Sequence, residues 1–242
     1  MQISIIGYGR MGKEVEKQSS NFSLKVSKII NTQQELEDTS FSSDEIAIEF
    51  STPESVIRNI ELLSEKRISV ICGTTGWQNN LDYIKKLVQR KKIGFLYASN
   101  FSIGVNIFLN IVKASSKLID AFEDYDVLAH EMHHKNKKDS PSGTALTMGQ
   151  ILLENIDRKK ILITDKLNRK LKENEIHLSS TRGGDVIGKH ITMYDSIYDS
   201  IEITHTGKDR SAYAIGALKC AQWLYDKEGF FSIDDYMKDL IK

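Results

Sequence analysis

Residues 1–12, MQISIIGYGRMG, decide the fold of this 242-residue chain. A short apolar run, Ile3 to Ile6, ends in glycine. Glycines recur at 7, 9 and 12, and Val15 opens a helical stretch. The order is strand, tight turn, helix. In a GxGxxG turn the first glycine permits the sharp bend and the second lets backbone approach a pyrophosphate. The third lets helix pack closely on strand. The helix N-terminus adds N–H donors and the positive end of a dipole. Alone the pattern is weak; its place at the first strand-to-helix turn favours a dinucleotide over an ordinary glycine turn. Gly7, Tyr8, Gly9, Arg10, Met11 and Gly12 are therefore candidate cofactor contacts.

Working outward, apolar runs at 24–30, 45–50, 68–72 and 94–98 read as further strands. Helical faces lie between them, such as Val56, Ile57, Ile60 and Leu63. Strands alternating with helices predict an α/β, Rossmann-type, doubly wound parallel sheet. Ligands of such sheets bind beyond the strand C-termini. Gly73, Thr74 and Thr75, and Ala98, Ser99, Asn100 and Phe101, are thus candidate cofactor contacts, although ordinary turn chemistry also accounts for them. An acid expected at the end of the second strand to hold a ribose is absent, and Asn31 stands there. Asn31 accepts a hydroxyl without repelling a 2′-phosphate, and Arg10 is near in sequence to meet one. Either NADH or NADPH fits, with little discrimination expected.

The pattern changes after Asn100. Residues 103–122 read as one long helix, 125–129 as a strand and 145–155 as a helix. Alternating stretches at 160–164, 175–181, 186–194 and 200–205 look like antiparallel strands, with a turn at Arg182-Gly183-Gly184-Asp185. Residues 210–225 return to an amphipathic helix. The expected organisation is a dinucleotide-binding domain of residues 1–101 and 212–242. A second α+β domain, 102–211, would carry substrate binding and oligomerisation on an antiparallel or mixed sheet.

Lys+Arg and Asp+Glu are equal at 33 each, which argues against a nucleic-acid partner. Cys72 and Cys220 make no disulfide framework and read as small buried hydrophobes. No run approaches the ~20 apolar residues of a membrane span. The first residues lack the charged start and long apolar run of a signal peptide, so the cytoplasm is the expected location.

The chemistry concentrates in residues 130–144, HEMHHKNKKDSPSGT, where three of the six histidines fall within five positions. His130, Glu131 and His134 fit the zinc-protease pattern HExxH. That pattern works on a helix, and here a strand-like run precedes it while a lysine-rich loop follows. No metal is expected. Ser140-Pro141-Ser142-Gly143-Thr144 instead opens a helix, whose first amides suit a carboxylate. His133 and Lys137 offer protons and positive charge, and face one pocket only if the loop turns helically or folds back. His177, His190 and His205 read as sheet-face histidines, and Arg182 as a weaker partner for a second carboxylate.

These residues carry a family resemblance. The segment EMHHKNKKDSPSGTAL resembles the signature of 4-hydroxy-tetrahydrodipicolinate reductase, also called dihydrodipicolinate reductase. Ser140 replaces the usual alanine. GYGRMG, GTTGW, ASNFSIGVN, RGGDVIGKH and THTGKDRSAYAIGALKCAQWL match the family in order, across essentially the whole chain. The resemblance implies NAD(P)H-dependent reduction of a cyclic imine dicarboxylate on the route to diaminopimelate and lysine. It implies His133 and Lys137 as proton donors, and His134, Gly143 and Thr144 as substrate contacts. It also implies a homotetramer built through the second domain's sheet. His130 matches nothing functional. Two other readings stay open on the residues: another NAD(P)-dependent dehydrogenase of a small carboxylate, and a non-catalytic nucleotide-sensing module.

Overall fold

A computed structural model describes residues 1–240. The chain divides into two compact units. One comprises Met1–Ile103 and the stretch from Ser211 onward; the other comprises Gly104–Arg210.

The first unit is a six-stranded, all-parallel sheet. Its strands are β1 (Gln2–Ile6), β2 (Lys25–Ile30), β3 (Glu45–Glu49), β4 (Ser69–Cys72), β5 (Gly94–Tyr97) and β11 (Gly229–Ser232). Their order is β11-β5-β4-β3-β1-β2. Alternation sends Ile3, Ile5, Ile46 and Ile48 to one face. There they meet α1 (Arg10–Ser19), α7 (Ser211–Leu224) and α8 (Ile233–Leu240). Ile6, Ala47 and Val70 face α2 (Gln33–Asp38), α3 (Val56–Glu65) and α4 (Leu81–Lys91). The expected doubly wound sheet is present. β11 was not expected; it pairs with β5 in register from Gly229–Gly94 to Ser232–Tyr97 and covers that edge. Chain order reverses at β1, so the switch point lies between β1 and β3, where the Gly7–Gly12 turn leaves the sheet.

The second unit is a mixed sheet. It contains β6 (Asp126–His133), β7 (Ile161–Ile163), β8 (Glu175–Arg182), β9 (Gly188–Asp195) and β10 (Ser200–Gly207), in the order β10-β9-β6-β8-β7. One face is covered by α5 (Ile103–Asp120) and α6 (Gly143–Asn155). Phe108, Val112, Met148 and Leu152 pack there on Val127, Ala129, Ile176, Leu178 and Tyr194.

Two expectations for this unit need correction. β8 runs parallel to both β6 and β7, so only β6–β9 and β9–β10 are antiparallel. The Arg182–Asp185 turn does not close a hairpin, because β6 lies between β8 and β9. The strand expected at 125–129 also continues to His133, which places the histidine cluster largely on a strand. Both cysteines are buried, and among the described residues no helix is long and apolar enough to cross a membrane.

Candidate active site

The candidate site of the second unit follows from strand register. β6 turns Val127, Ala129, Glu131 and His133 toward the helix-covered face. The first two enter the apolar core, and the last two carry polar groups onto the same face at the strand's end. Ser180 on β8 and His190 on β9 stand opposite Glu131, and His205 on β10 stands opposite His190. Arg182 stands opposite His133. A row of Ser180, Glu131, His190 and His205 thus crosses four strands.

Glu131 has no exposed surface. Its Oε1 accepts from the Ser142 amide at 2.9 Å, the Ser180 hydroxyl at 3.0 Å and Arg182 Nη2 at 2.8 Å. Its Oε2 accepts from the Ser142 hydroxyl and lies 3.3 Å from His133 Nε2 and 3.7 Å from His190 Nε2. Burial pushes this carboxyl's pKa up, but the bonds from Ser142, Arg182 and Ser180 outweigh burial and bring it down to about 2. The acid is therefore charged at any working pH.

His133 is buried. Its Nδ1 lies 2.8 Å from the Ile187 carbonyl, which accepts only, so Nδ1 carries a proton. Its Nε2 has no aligned hydrogen-bond partner. Burial lowers the pKa of this histidine; the Ile187 carbonyl and Glu131 oppose that, while Lys137 and Arg182 add to it. His190 is pushed lower still, to about 4, chiefly by burial and then by His133.

The chain turns directly after β6. The Lys137 amide donates to the His134 carbonyl at 3.1 Å, and Gly183 donates to the His133 carbonyl at 3.0 Å. Lys137 Nζ pairs with Asp139 at 2.8–2.9 Å. Ser142 is the N-cap of α6, its hydroxyl accepting from the Ala145 amide at 3.2 Å. Gly143 and Thr144 are thus the first residues of that helix, and a Cβ on Gly143 would meet nothing within 4 Å. Backbone is accessible there to a ligand. Arg182 Nη2 is shared between Glu131 and the Asp139 carbonyl, at 2.8 and 2.6 Å. His130 lies outside this cluster, its Nδ1 2.7 Å from Ser179 Oγ.

Glu131, His133 and His190 bring their ligand-type atoms within 4.8 Å of one another. This trio is not the HExxH set. Hydrogen-bond donors and the Arg182 guanidinium already occupy the carboxylate, so the trio reads as a proton network. Glu131, Ser142 and His190 were not singled out as site residues from sequence, and Arg182 was named only as a weaker partner for a second carboxylate. The available signal was a glutamate at a core-facing position of a strand.

In the first unit the glycine turn has the shape a dinucleotide needs. Gly7 has φ +89°, a region that disfavours side chains, and donates to the Ile30 carbonyl at 2.8 Å. A Cβ on Gly12 would lie 2.3 Å from the Gly7 carbonyl oxygen, whereas one on Gly9 would meet nothing within 4 Å. The turn is therefore tight where helix meets strand and open at Gly9, the N-cap of α1. Arg10 is exposed at the helix start. Met11 and Phe101 pack on the core, so Phe101 stands there as a packing residue. Asn31 Oδ1 accepts from the Tyr8 amide at 2.9 Å, tying the turn to the end of β2. Gly73 donates to the Glu49 carbonyl at 2.9 Å, and Ala98 to the Cys72 carbonyl at 3.2 Å. Thr74 is buried and its carbonyl accepts from Trp77 Nε1, while Thr75 is exposed. Asn100 Oδ1 accepts from the Ser102 amide, which shapes the segment holding Ser99.

Family models match both units. Residues 1–101 match the dihydrodipicolinate reductase N-terminus, and residues 104–237 match its C-terminus. The chain belongs to the dihydrodipicolinate reductase family. A 4-hydroxy-tetrahydrodipicolinate reductase of Christiangramia forsetii is 38% identical over 242 residues, covering 100% of both chains. One of Archaeoglobus fulgidus is 33% identical, covering 98% of this chain and 100% of that one. The fold is that of a dipicolinate-bound dihydrodipicolinate reductase from Paenisporosarcina sp. TG-14, with a TM-score of 0.73 at 20% identity. That match covers 96% of this chain and 97% of the other. As a dihydrodipicolinate reductase the chain is an oxidoreductase whose N-terminal unit binds NADH or NADPH.

Proposed function

We propose that the chain reduces 4-hydroxy-tetrahydrodipicolinate to tetrahydrodipicolinate, with loss of water, at the expense of NADH or NADPH, in diaminopimelate and lysine biosynthesis. Beyond family membership, one observation carries the reading. The buried carboxylate of Glu131 gathers His133, Arg182 and the N-cap of α6 into one cluster, with Lys137 on the adjoining loop.

In this reading a substrate carboxylate docks on the first amides of α6, at Gly143 and Thr144, with His134 as a further contact. Each charge-assisted bond contributes roughly 1.5–3 kcal/mol. The nucleotide, held at Gly7–Gly12 with Gly73–Thr75 and Ala98–Phe101 beside it, supplies hydride when bound. Negative charge then develops on the conjugated ring. Lys137 and His133 stabilise that charge and supply the proton that completes reduction. His133 acts mainly through its positive charge, since both its ring nitrogens face protein. Lys137, on the loop, hands over its proton.

The acid missing from the end of β2 has a substitute. Glu35 and Thr32 form a capping box at the start of α2, and Glu35 Oε2 accepts from the Asn31 and Thr32 amides at 2.7 and 3.2 Å. We assign the ribose contact to this carboxylate, which disfavours a 2′-phosphate. Purified protein should oxidise NADH when given substrate, with competitive inhibition by pyridine-2,6-dicarboxylate; no substrate-dependent oxidation would refute the function. In the same assay Glu35→Gln should raise the NADPH:NADH ratio of kcat/KM by about tenfold, the equivalent of 1.4 kcal/mol. An unchanged ratio removes Glu35 from the ribose site.

The sheet face of the second unit turned away from α5 and α6 carries Leu128, Ile161, Ile163, Ile191 and Met193. Leu128 is 49% and Ile161 43% exposed. Apolar surface of this kind supports assembly of copies through the sheet, as a homotetramer. Light scattering should give about four times the 27.5 kDa chain mass. A monomer mass would exclude the assembly. The cytoplasm is the proposed location.

A further inference from the structure

We propose that Glu131 is a positioning residue of the reaction, whose one buried negative charge keeps His133 able to hold its second proton and sets the head of α6 beside it. The proposal rests on the role given to His133 above. Glu131 has no exposed surface, so it does not touch a ligand itself.

A buried carboxylate is costly, and a pair with Arg182 alone would often be replaceable by apolar side chains without loss of stability. Glu131 does more than pair with Arg182. Its Oε1 collects the Ser142 amide, Ser180 and Arg182. Its Oε2 accepts from the Ser142 hydroxyl and is turned toward the Nε2 atoms of His133 and His190. Arg182 in turn holds the Asp139 carbonyl, on the loop that carries Lys137. One carboxylate thus sets the positions of an imidazole, a helix N-terminus and the loop of the proposed proton donor.

The charge pattern around His133 gives the carboxylate its chemical effect. Nδ1 is committed to the Ile187 carbonyl, so Nε2 is where a second proton enters or leaves. The groups acting on the ring are Glu131 on its own strand, Arg182 on β8, His190 on β9 and Lys137 from the loop. Among these Glu131 is the single anion. Without it, His133 would face two cations and a second imidazole, and would take up its second proton only at lower pH.

The sign follows directly. If the active enzyme carries protonated His133, turnover falls as pH rises through the pKa of His133. Glu131 raises that pKa, so removing its charge moves the falling limb to lower pH. Glu131 itself titrates near 2 and does not create the limb.

Glu131→Gln keeps the shape and an acceptor for Ser142 but removes the charge. The expected result is a limb moved down by about one unit and a kcat about tenfold lower at neutral pH, since one unit changes the protonated fraction tenfold. KM for substrate should change less than kcat. A purely structural role would lower Tm and leave the limb in place, and that outcome overturns the proposal.

The wild-type protein gives a second test, should the variant not fold. Nitrogen-15 NMR of the imidazoles should show neutral His133 as the Nδ1–H tautomer, with Nε2 gaining the proton on acidification. The Nε2–H tautomer would also overturn the proposal. His133→Gln separates the two levels of argument. Normal turnover in that variant defeats the role of His133. A slow His133→Gln enzyme beside a Glu131→Gln enzyme with an unmoved limb defeats the present inference alone.

Discussion

Lys137→Ala lowers kcat by about 10²–10⁴-fold, the usual worth of a positioned proton donor, and leaves NADH binding unchanged. The expectation rests on where this ammonium stands. Its partner in the structure is Asp139, which is mostly exposed, with Oδ1 2.8 Å and Oδ2 2.9 Å from Nζ. A surface pair of this kind contributes roughly 0–1 kcal/mol to stability, so its loss does not unfold the chain. The glycine turn is built from the first unit and does not depend on Lys137 for its conformation. Activity should therefore fall without a matching fall in Tm or in nucleotide affinity. Lys137→Arg sharpens the test: it retains the charge, but a guanidinium does not give up a proton in proteins. If the residue only attracts the anionic substrate, arginine restores kcat. If it transfers a proton, arginine restores KM alone. Wild-type turnover in Lys137→Ala would remove the residue from the mechanism.

What could be read from the sequence was what is local. The Gly7–Gly12 turn announces itself because its three glycines answer three contacts within a dozen residues, and the strand–helix alternation after it is a periodic signal. β6 was harder. Its period-two pattern continues from Val127 and Ala129 into Glu131 and His133, but polar side chains on the core face hid the continuation and made the strand end look like loop. The position of β8 could not be read at all. Insertion of β6 between β8 and β9 is a long-range pairing, and nothing in the Arg182–Asp185 turn distinguishes it from a hairpin. β11 has four half-buried residues at a sheet edge, too few for a period. Glu35 shows the opposite case. Its carboxylate is brought back to the Asn31 amide by a capping box that Thr32 and Glu35 spell out in sequence.

Gly216→Ala should destabilise the first unit and lose nucleotide affinity together. Gly216 lies in the middle of α7. A Cβ built there would stand 1.7 Å from the Phe101 carbonyl oxygen and 2.8 Å from its carbon. No rotamer change relieves a clash with backbone, so either α7 or the segment around Phe101 must shift. Phe101 is 2% exposed and meets Phe50 edge-on at 6.1 Å, which resists such a shift. Overpacking of this severity costs about 3 kcal/mol or more. In a chain of this size that corresponds to a Tm lower by roughly 6–12 °C. The shift is transmitted to Ala98, Ser99 and Asn100, in the segment assigned to the nucleotide, so NADH affinity should fall as well. Gly9→Ala is the control. A methyl group there meets no protein atom within 4 Å, so Tm should hold while NADH affinity drops, because the methyl enters the space left for the pyrophosphate. A Gly216→Ala protein with unchanged Tm would show that α7 does not press on Phe101 in solution. Lower Tm with unchanged NADH affinity would detach the 98–101 segment from the nucleotide site. The two glycines thus separate the two reasons a dinucleotide fold excludes a side chain: contact with its own backbone, and contact with the ligand.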